Sequence, residues 1–217
     1  MFKVYGVPPS PFVRKLLLAL EYKKLDYDVE IVFGGSDDPA FREISPLGKI
    51  PVLEHNGFTV PDTSVICRYL DRLHPEPGLY PAHAKLEAKA SWLEEFGDSN
   101  LMECCSGLYM QRFVNPGIYN LPTDNDLVED IVANRLPPLL GYLESVVPES
   151  GPLVGDAISI ADLSIVTCFL TARYGQYEVD AGTYPRLGDY LGRAFNHELV
   201  KARMMSEQQA IEQLTGS

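Results

Sequence analysis

Between His74 and Pro81 the chain reads HPEPGLYP, three prolines and a glycine, and the character of the sequence changes across it. Short strand and helix patterns alternate before this segment, and no convincing strand follows it. A chain of 217 residues can hold two small cores or one large domain, so length alone does not decide. The breaker does, and the expected domains are 1–76 and 84–217.

In the first part, Phe2 to Tyr5 reads as a short strand and GVPP as a turn. From Pro11 to about Lys23 the apolar positions Val13, Leu16, Leu17 and Leu20 recur at helical spacing. Tyr27 to Phe33 predicts a second strand, and Ala40 to Ile44 a short helix. Pro51 to Glu54 and Phe58 to Val60 flank Asn56-Gly57, a strong hairpin signal. Thr63 to Leu73 returns to helical spacing, capped by Asp62 or Thr63. The implied unit is one mixed four-stranded sheet with helices against it, an α/β domain.

The second part predicts helices only: 84 to about 113 with bends expected at Gly97 and Gly107, then 125–147 disturbed near Pro137-Pro138, one starting at Ile160, and one around Tyr190 to Phe195. Only the last few residues look loose. Ser159 stands three before Asp162 at the start of an apolar run, the spacing of a capping box. That pair marks a helix start and no chemistry.

The net charge of −12 makes nucleic acid and anionic membranes poor partners, because such a surface repels phosphate. No apolar run approaches the length of a membrane span, and MFKVYGVPPSPF turns to proline and arginine too early for a secretory leader. Cys67, Cys104, Cys105 and Cys168 have neither disulfide-framework nor metal spacing, so reduced cytoplasmic thiols are expected. His55, His74, His83 and His197 are scattered, and no metal site is expected.

Three places can carry chemistry. Ser10 precedes Pro11 at a helix head, where amide N–H groups and the helix dipole favour an anion such as a thiolate; it also suits a plain cap. Pro51 opens a strand after Lys49 and Ile50; a cis bond there would expose the Ile50 backbone to an extended peptide, and a trans bond would only start an edge strand. Thr63 and Ser64 begin another helix, where a free carboxylate would be met, or where ordinary capping suffices. Tyr109, Arg112 and Phe113 lie at about one-turn spacing and suit either a pocket wall or simple packing.

Residues 10–27 (SPFVRKLLLALEYKKLDY), 48–57 (GKIPVLEHNG), 62–75 (DTSVICRYLDRLHP) and the GDAISIAD segment around Ser159 together resemble the cytosolic glutathione transferases, serine-type, of bacteria and plants. The resemblance covers the whole chain and implies a thioredoxin-like first domain and a helical-bundle second domain. It further implies that Ser10 bonds the glutathione sulfur, Ile50 ahead of a cis Pro51 pairs with the cysteinyl unit, Thr63 and Ser64 hold the γ-glutamyl carboxylate, and Lys49 approaches the glycine carboxylate. An apolar electrophile would sit near Pro9, Phe12, Tyr109, Arg112 and Phe113. Glutathione would be the co-substrate, with no metal, and the protein a homodimer. Thr63 stands where many members have an acid before the serine. The activity implied is conjugation; the alternatives are another glutathione-dependent reaction (isomerase, dehalogenase or peroxidase) or a non-catalytic scaffold.

Overall fold

A computed structural model describes residues 1–215, with side chains through Glu212. Two compact units emerge, one comprising Met1–Tyr80 together with the segment from Glu198 onward, the other Pro81–His197. The chain from Glu198 onward thus groups with the sheet unit, although the sequence pattern assigns it to the helical one.

The sheet unit runs β1 (Phe2–Tyr5), α1 (Pro11–Tyr22), β2 (Tyr27–Glu30), α2 (Pro39–Ile44), β3 (Val52–His55), β4 (Phe58–Pro61) and α3 (Thr63–Leu73). Its strands lie in the order β2-β1-β3-β4, with β1 parallel to β2 and antiparallel to β3. The expected second strand is shortened: pairing ends at Glu30, whose carbonyl accepts from Gly6 N, and Ile31 and Phe33 are exposed beyond it. Only four residues of β1 are there to pair with. Asn56 and Gly57 both take positive φ, as the tight turn between β3 and β4 requires.

Val13, Leu16, Leu17 and Leu20 of α1 pack with Ile66 and Leu70 of α3 onto Val4, Leu53 and Val60 of the sheet, all within one core cluster. The helix is buried on its other faces too, Arg14 and Lys15 included, because α3 and a last helix, α10 (Glu198–Thr215), also contact it. That last helix has no counterpart in the sequence reading.

In the second unit one long helical path runs from Ala84 to Tyr119: α4 (Ala84–Phe96), a π-helical stretch Gly97–Leu101, α5 (Met102–Tyr109) and a second π-helical stretch Met110–Tyr119. The irregularity at Gly97 falls where the sequence placed it. Gly107 lies inside α5 for a different reason: a Cβ there would stand 2.7 Å from Ile131 Cδ1. Next come α6 (Asn125–Asp130), a π-helical turn Ile131–Arg135 just ahead of Pro137-Pro138, and α7 (Leu136–Val146). The unit closes with α8 (Ile160–Tyr174) and α9 (Pro185–Asn196).

Helix α8 is buried from Ile160 to Ala172 and is the centre of this unit, contacted by α4, α5 and α9. Ser159 and Asp162 form its capping box. The Asp162 carboxylate accepts from Ser159 N (2.9 Å), Ser159 Oγ (3.1 Å), Leu153 N (2.8 Å) and Tyr190 Oη (2.9 Å). Burial pushes its carboxyl above the usual carboxylate range, while those donors pull the other way. Among the described residues no helix is long and apolar enough to cross a membrane.

Candidate functional site

Register places three loops at one end of the sheet. Tyr5 ends β1 opposite Val52, which begins β3, and Val52 faces Pro61, which ends β4. The turn leading to Ser10, the Ile50-Pro51 bond and the Asp62–Ser64 segment are all continuous with that row of residues. Antiparallel pairing of β1 with β3, and of β3 with β4, makes this so.

Ser10 occupies the N-cap position of α1 with extended backbone (φ −65°, ψ 131°), but its hydroxyl makes no capping hydrogen bond. Pro11 follows it in the helix, where its fixed φ suits the first turn. The turn into it is held by Ser10 N donating to Val7 O at 2.9 Å, and by two buried prolines, Pro8 and Pro9. A half-buried hydroxyl therefore stands at the positive end of a 12-residue helix with its hydrogen-bonding capacity uncommitted to that helix.

The Ile50-Pro51 peptide is cis. Its loop is braced by Ser45 Oγ donating to Lys49 O (2.7 Å) and by Gly35 N donating to Gly48 O (2.8 Å). Lys49 itself is exposed.

At the head of α3 the acid is Asp62, and it is the N-cap: one carboxylate oxygen accepts from Ser64 N and Val65 N, each at 3.1 Å. Its φ of 79° is a conformation that a side-chain-bearing residue adopts at a cost of roughly 1–3 kcal/mol, and such outliers gather at functional loops. Thr63 is buried and its hydroxyl donates to Phe12 O at 3.2 Å, so it faces α1. Ser64 is half-buried, and its hydroxyl accepts from the buried Lys15 ammonium at 3.3 Å. Sequence spacing had singled out Thr63 and Ser64 here but not Lys15, which the apolar run around it hides.

Of the residues expected around an electrophile, Pro9 and Phe12 flank Ser10 in the sheet unit. Tyr109 and Phe113 stack in the helical unit, ring centroids 5.3 Å apart and 16° from parallel. Tyr174 joins them at 6.1 and 5.8 Å, a third ring that no sequence signal near residue 110 announces. Arg112 is held elsewhere, donating to the carbonyls of Gly175 and Gln176 at 3.2 Å each, which ties this helix to the end of α8.

None of the four cysteines forms a disulfide, all are buried, and burial raises the thiols of Cys104 and Cys105, which disfavours their thiolates. Among the described residues no three His, Cys, Asp or Glu side chains group to hold a metal.

A four-stranded mixed sheet faced by α1 and α3, followed by a helical unit, is the architecture of the glutathione transferases. Two family models match the chain in that order: "Glutathione S-transferase, N-terminal domain" over residues 4–78 and "Glutathione S-transferase, C-terminal domain" over 113–206. Glutathione S-transferase 3 of Zea mays is 30% identical over 165 residues, covering 74% of this chain and 73% of the relative. A Drosophila melanogaster protein named "Probable maleylacetoacetate isomerase 1" is 28% identical over 192 residues, 85% of this chain and 73% of its own. Among solved structures, a glutathione S-transferase from Rhodospirillum rubrum superposes with a TM-score of 0.82 at 24% identity, covering 94% of this chain and 91% of that one. The chain belongs to the glutathione S-transferase family.

Proposed function

We propose that this protein joins glutathione to an apolar electrophile, and that Ser10 stabilises the thiolate that attacks. The observation that carries the reading is the Ser10 hydroxyl, set at the head of α1 and unused as a cap. Placed against it, a glutathione thiol loses its proton to water more readily, since the hydroxyl donates to the sulfur anion and the helix end supplies a favourable field. The thiolate then forms a carbon–sulfur bond as the leaving group departs with the bonding pair.

The backbone at Ile50, ahead of cis Pro51, pairs with the cysteinyl unit of the tripeptide. Ser64 and the backbone at Thr63 receive the γ-glutamyl carboxylate, and Lys49 the glycine carboxylate. The exposed Asp62 carboxylate, adjacent at the same helix head, meets the ligand's ammonium group. Pro9 and Phe12 in the first unit, and separately the stacked Tyr109 and Phe113 in the second, offer apolar surface to an electrophile, and Arg112 ties the helix of that stacked pair to the end of α8. The protein acts in the cytoplasm, in detoxification, as a homodimer; exposed Phe58 and Val65 in the first unit and Trp92 in the second suit burial against another copy. An isomerase using the same thiolate is the second reading, favoured by the name of the Drosophila relative.

The deciding experiment is glutathione conjugation to an aryl chloride by the intact protein and by Ser10→Ala. A fall of about tenfold or more in kcat/KM with an unchanged fold, roughly 1.4 kcal/mol of transition-state stabilisation, supports the assignment. Equal rates in the two proteins would move the donor to another residue.

A further inference from the structure

Arg14 and Glu207 are both wholly buried, and they meet each other. Arg14 Nε donates to Glu207 Oε2 at 2.7 Å and to Oε1 at 3.0 Å, and its Nη2 donates to Oε1 as well. The same Nη2 donates to the carbonyl of Pro9 at 3.3 Å. Helical side chains lean toward the helix N-terminus, so an arginine one turn into α1 reaches back beneath the residue before Ser10.

Stability alone is a weak reason for such an arrangement. Two charges withdrawn from water lose hydration that their pairing only about recovers, and apolar residues of like volume do as well or better. An apolar pair would fail in one respect, however. Pro9 is buried, and its carbonyl oxygen takes its hydrogen bond from this guanidinium. Prolines 8 and 9 carry no N–H, so the backbone immediately ahead of the serine is held by Ser10 N bonding Val7 O, by the fixed φ of the two prolines and by the Arg14 contact at the Pro9 carbonyl.

We propose that the Arg14–Glu207 pair is a positioning device for Ser10. The carboxylate of α10 orients the guanidinium, the guanidinium holds the Pro9 carbonyl, and the hydroxyl of the next residue is thereby kept directed away from its own helix. Helix α10 is fastened to α1 a second time, four residues earlier, where Arg203 Nη1 donates to Glu21 Oε1 at 2.8 Å and to Tyr27 Oη at 3.3 Å. On this account the C-terminal helix acts on the thiol site through Glu207. The inference rests on the glutathione reading given above.

The test is a double-mutant cycle on Arg14 and Ser10. Arg14→Lys keeps the charge and the pairing with Glu207 but removes the planar fork that also reaches Pro9. In conjugation of an aryl chloride, kcat is expected to fall about tenfold in Arg14→Lys, the KM for glutathione to stay within about twofold, and the thiol limb of the pH–rate profile to move up. In a Ser10→Ala background the same substitution is expected to cost less than about twofold, because the residue it acts through is gone. Equal losses in both backgrounds, or an unmoved pH limb, would mean the pair merely holds the scaffold, and the proposal falls. Should Arg14→Lys not fold by circular dichroism, Glu207→Asp, which keeps the charge and withdraws the carboxylate, takes its place in the same cycle with the same criteria. Calorimetric titration of the wild-type protein with glutathione separates the two levels. No binding at millimolar concentration removes the glutathione reading and this inference with it, whereas binding and turnover with additive losses remove only the positioning role.

Discussion

A Cβ built on Gly6 would stand 2.5 Å from Val13 Cγ2, closer than real side chains come. Gly6 follows the last residue of β1 and Val13 lies in the first turn of α1, so this contact sets how near the helix that carries Ser10 approaches the strand before it. Gly6→Ala must push α1 outward, since Val13 is fully buried and its β-branched side chain strongly prefers a single rotamer in a helix. The expected cost is about 1–3 kcal/mol, read as a lower urea midpoint. Conjugation activity should fall by more than the folded fraction explains, and activity that tracks the folded fraction alone would separate the packing from the site.

Asp62 does two things at the head of α3, and one substitution divides them. Its carboxylate caps the helix through Ser64 N and Val65 N, a task asparagine performs about as well. Asp62→Asn should therefore leave the urea midpoint almost unchanged. If the carboxylate also meets the ammonium of glutathione, an exposed charge pair worth about 1 kcal/mol is lost, and the KM for glutathione rises about fivefold with kcat unaltered. An unchanged KM would leave Asp62 as a cap only.

Much of the first domain was legible because its apolar periodicities are clean. The strand–helix order, the hairpin at Asn56-Gly57 and the bounds of α3 follow from them, and so does Ser10 ahead of Pro11. Helix α10 was not legible for a physical reason. Among its described side chains the buried positions, Val200, Arg203 and Glu207, share one helical face, but two of the three are charged, and a search for apolar periodicity passes over them. The same reason conceals Arg14 and Lys15 within an apolar run: a sequence pattern reports that a charge is present, and only the fold reports that a partner has been brought to it. Tyr174 was missed because its ring partners, Tyr109 and Phe113, are some sixty residues away.

Tyr27 predicts an alkaline weakness. Burial first, and the hydrogen bond to Glu21 second, push its phenol from 10.0 up to about 12. The unfolded chain gives up this proton near pH 10 while the folded chain keeps it to about pH 12. Stability contributed by the protonated phenol is thus complete below pH 10 and drains away as pH rises through that interval. Tyr27→Phe loses the bonds to Glu21 and Arg203 and should be less stable at neutral pH, yet its thermal midpoint should fall less steeply between pH 10 and 11.5. Parallel slopes in the two proteins would assign the alkaline transition to another group, Tyr177 and Tyr190 being the candidates since burial raises both phenols.

Asp162 is where the second domain is most sensitive to a single change. Four donors converge on its carboxylate: two amides, the Ser159 hydroxyl and the Tyr190 hydroxyl. Asp162→Ala strands them in a buried site, and leaving buried donors unsatisfied together with the loss of the α8 cap costs roughly 3–5 kcal/mol. The sign of the pH dependence follows from the raised carboxyl. The folded state holds its proton more readily than the unfolded one, so the wild-type advantage is greatest in acid and declines as pH rises through the folded value. The deficit of Asp162→Ala, measured by urea unfolding, should accordingly be larger near pH 4 than at pH 7. A deficit that grows toward neutral pH would show instead that the ionised carboxylate is favoured at this site, with the hydrogen bonds outweighing burial.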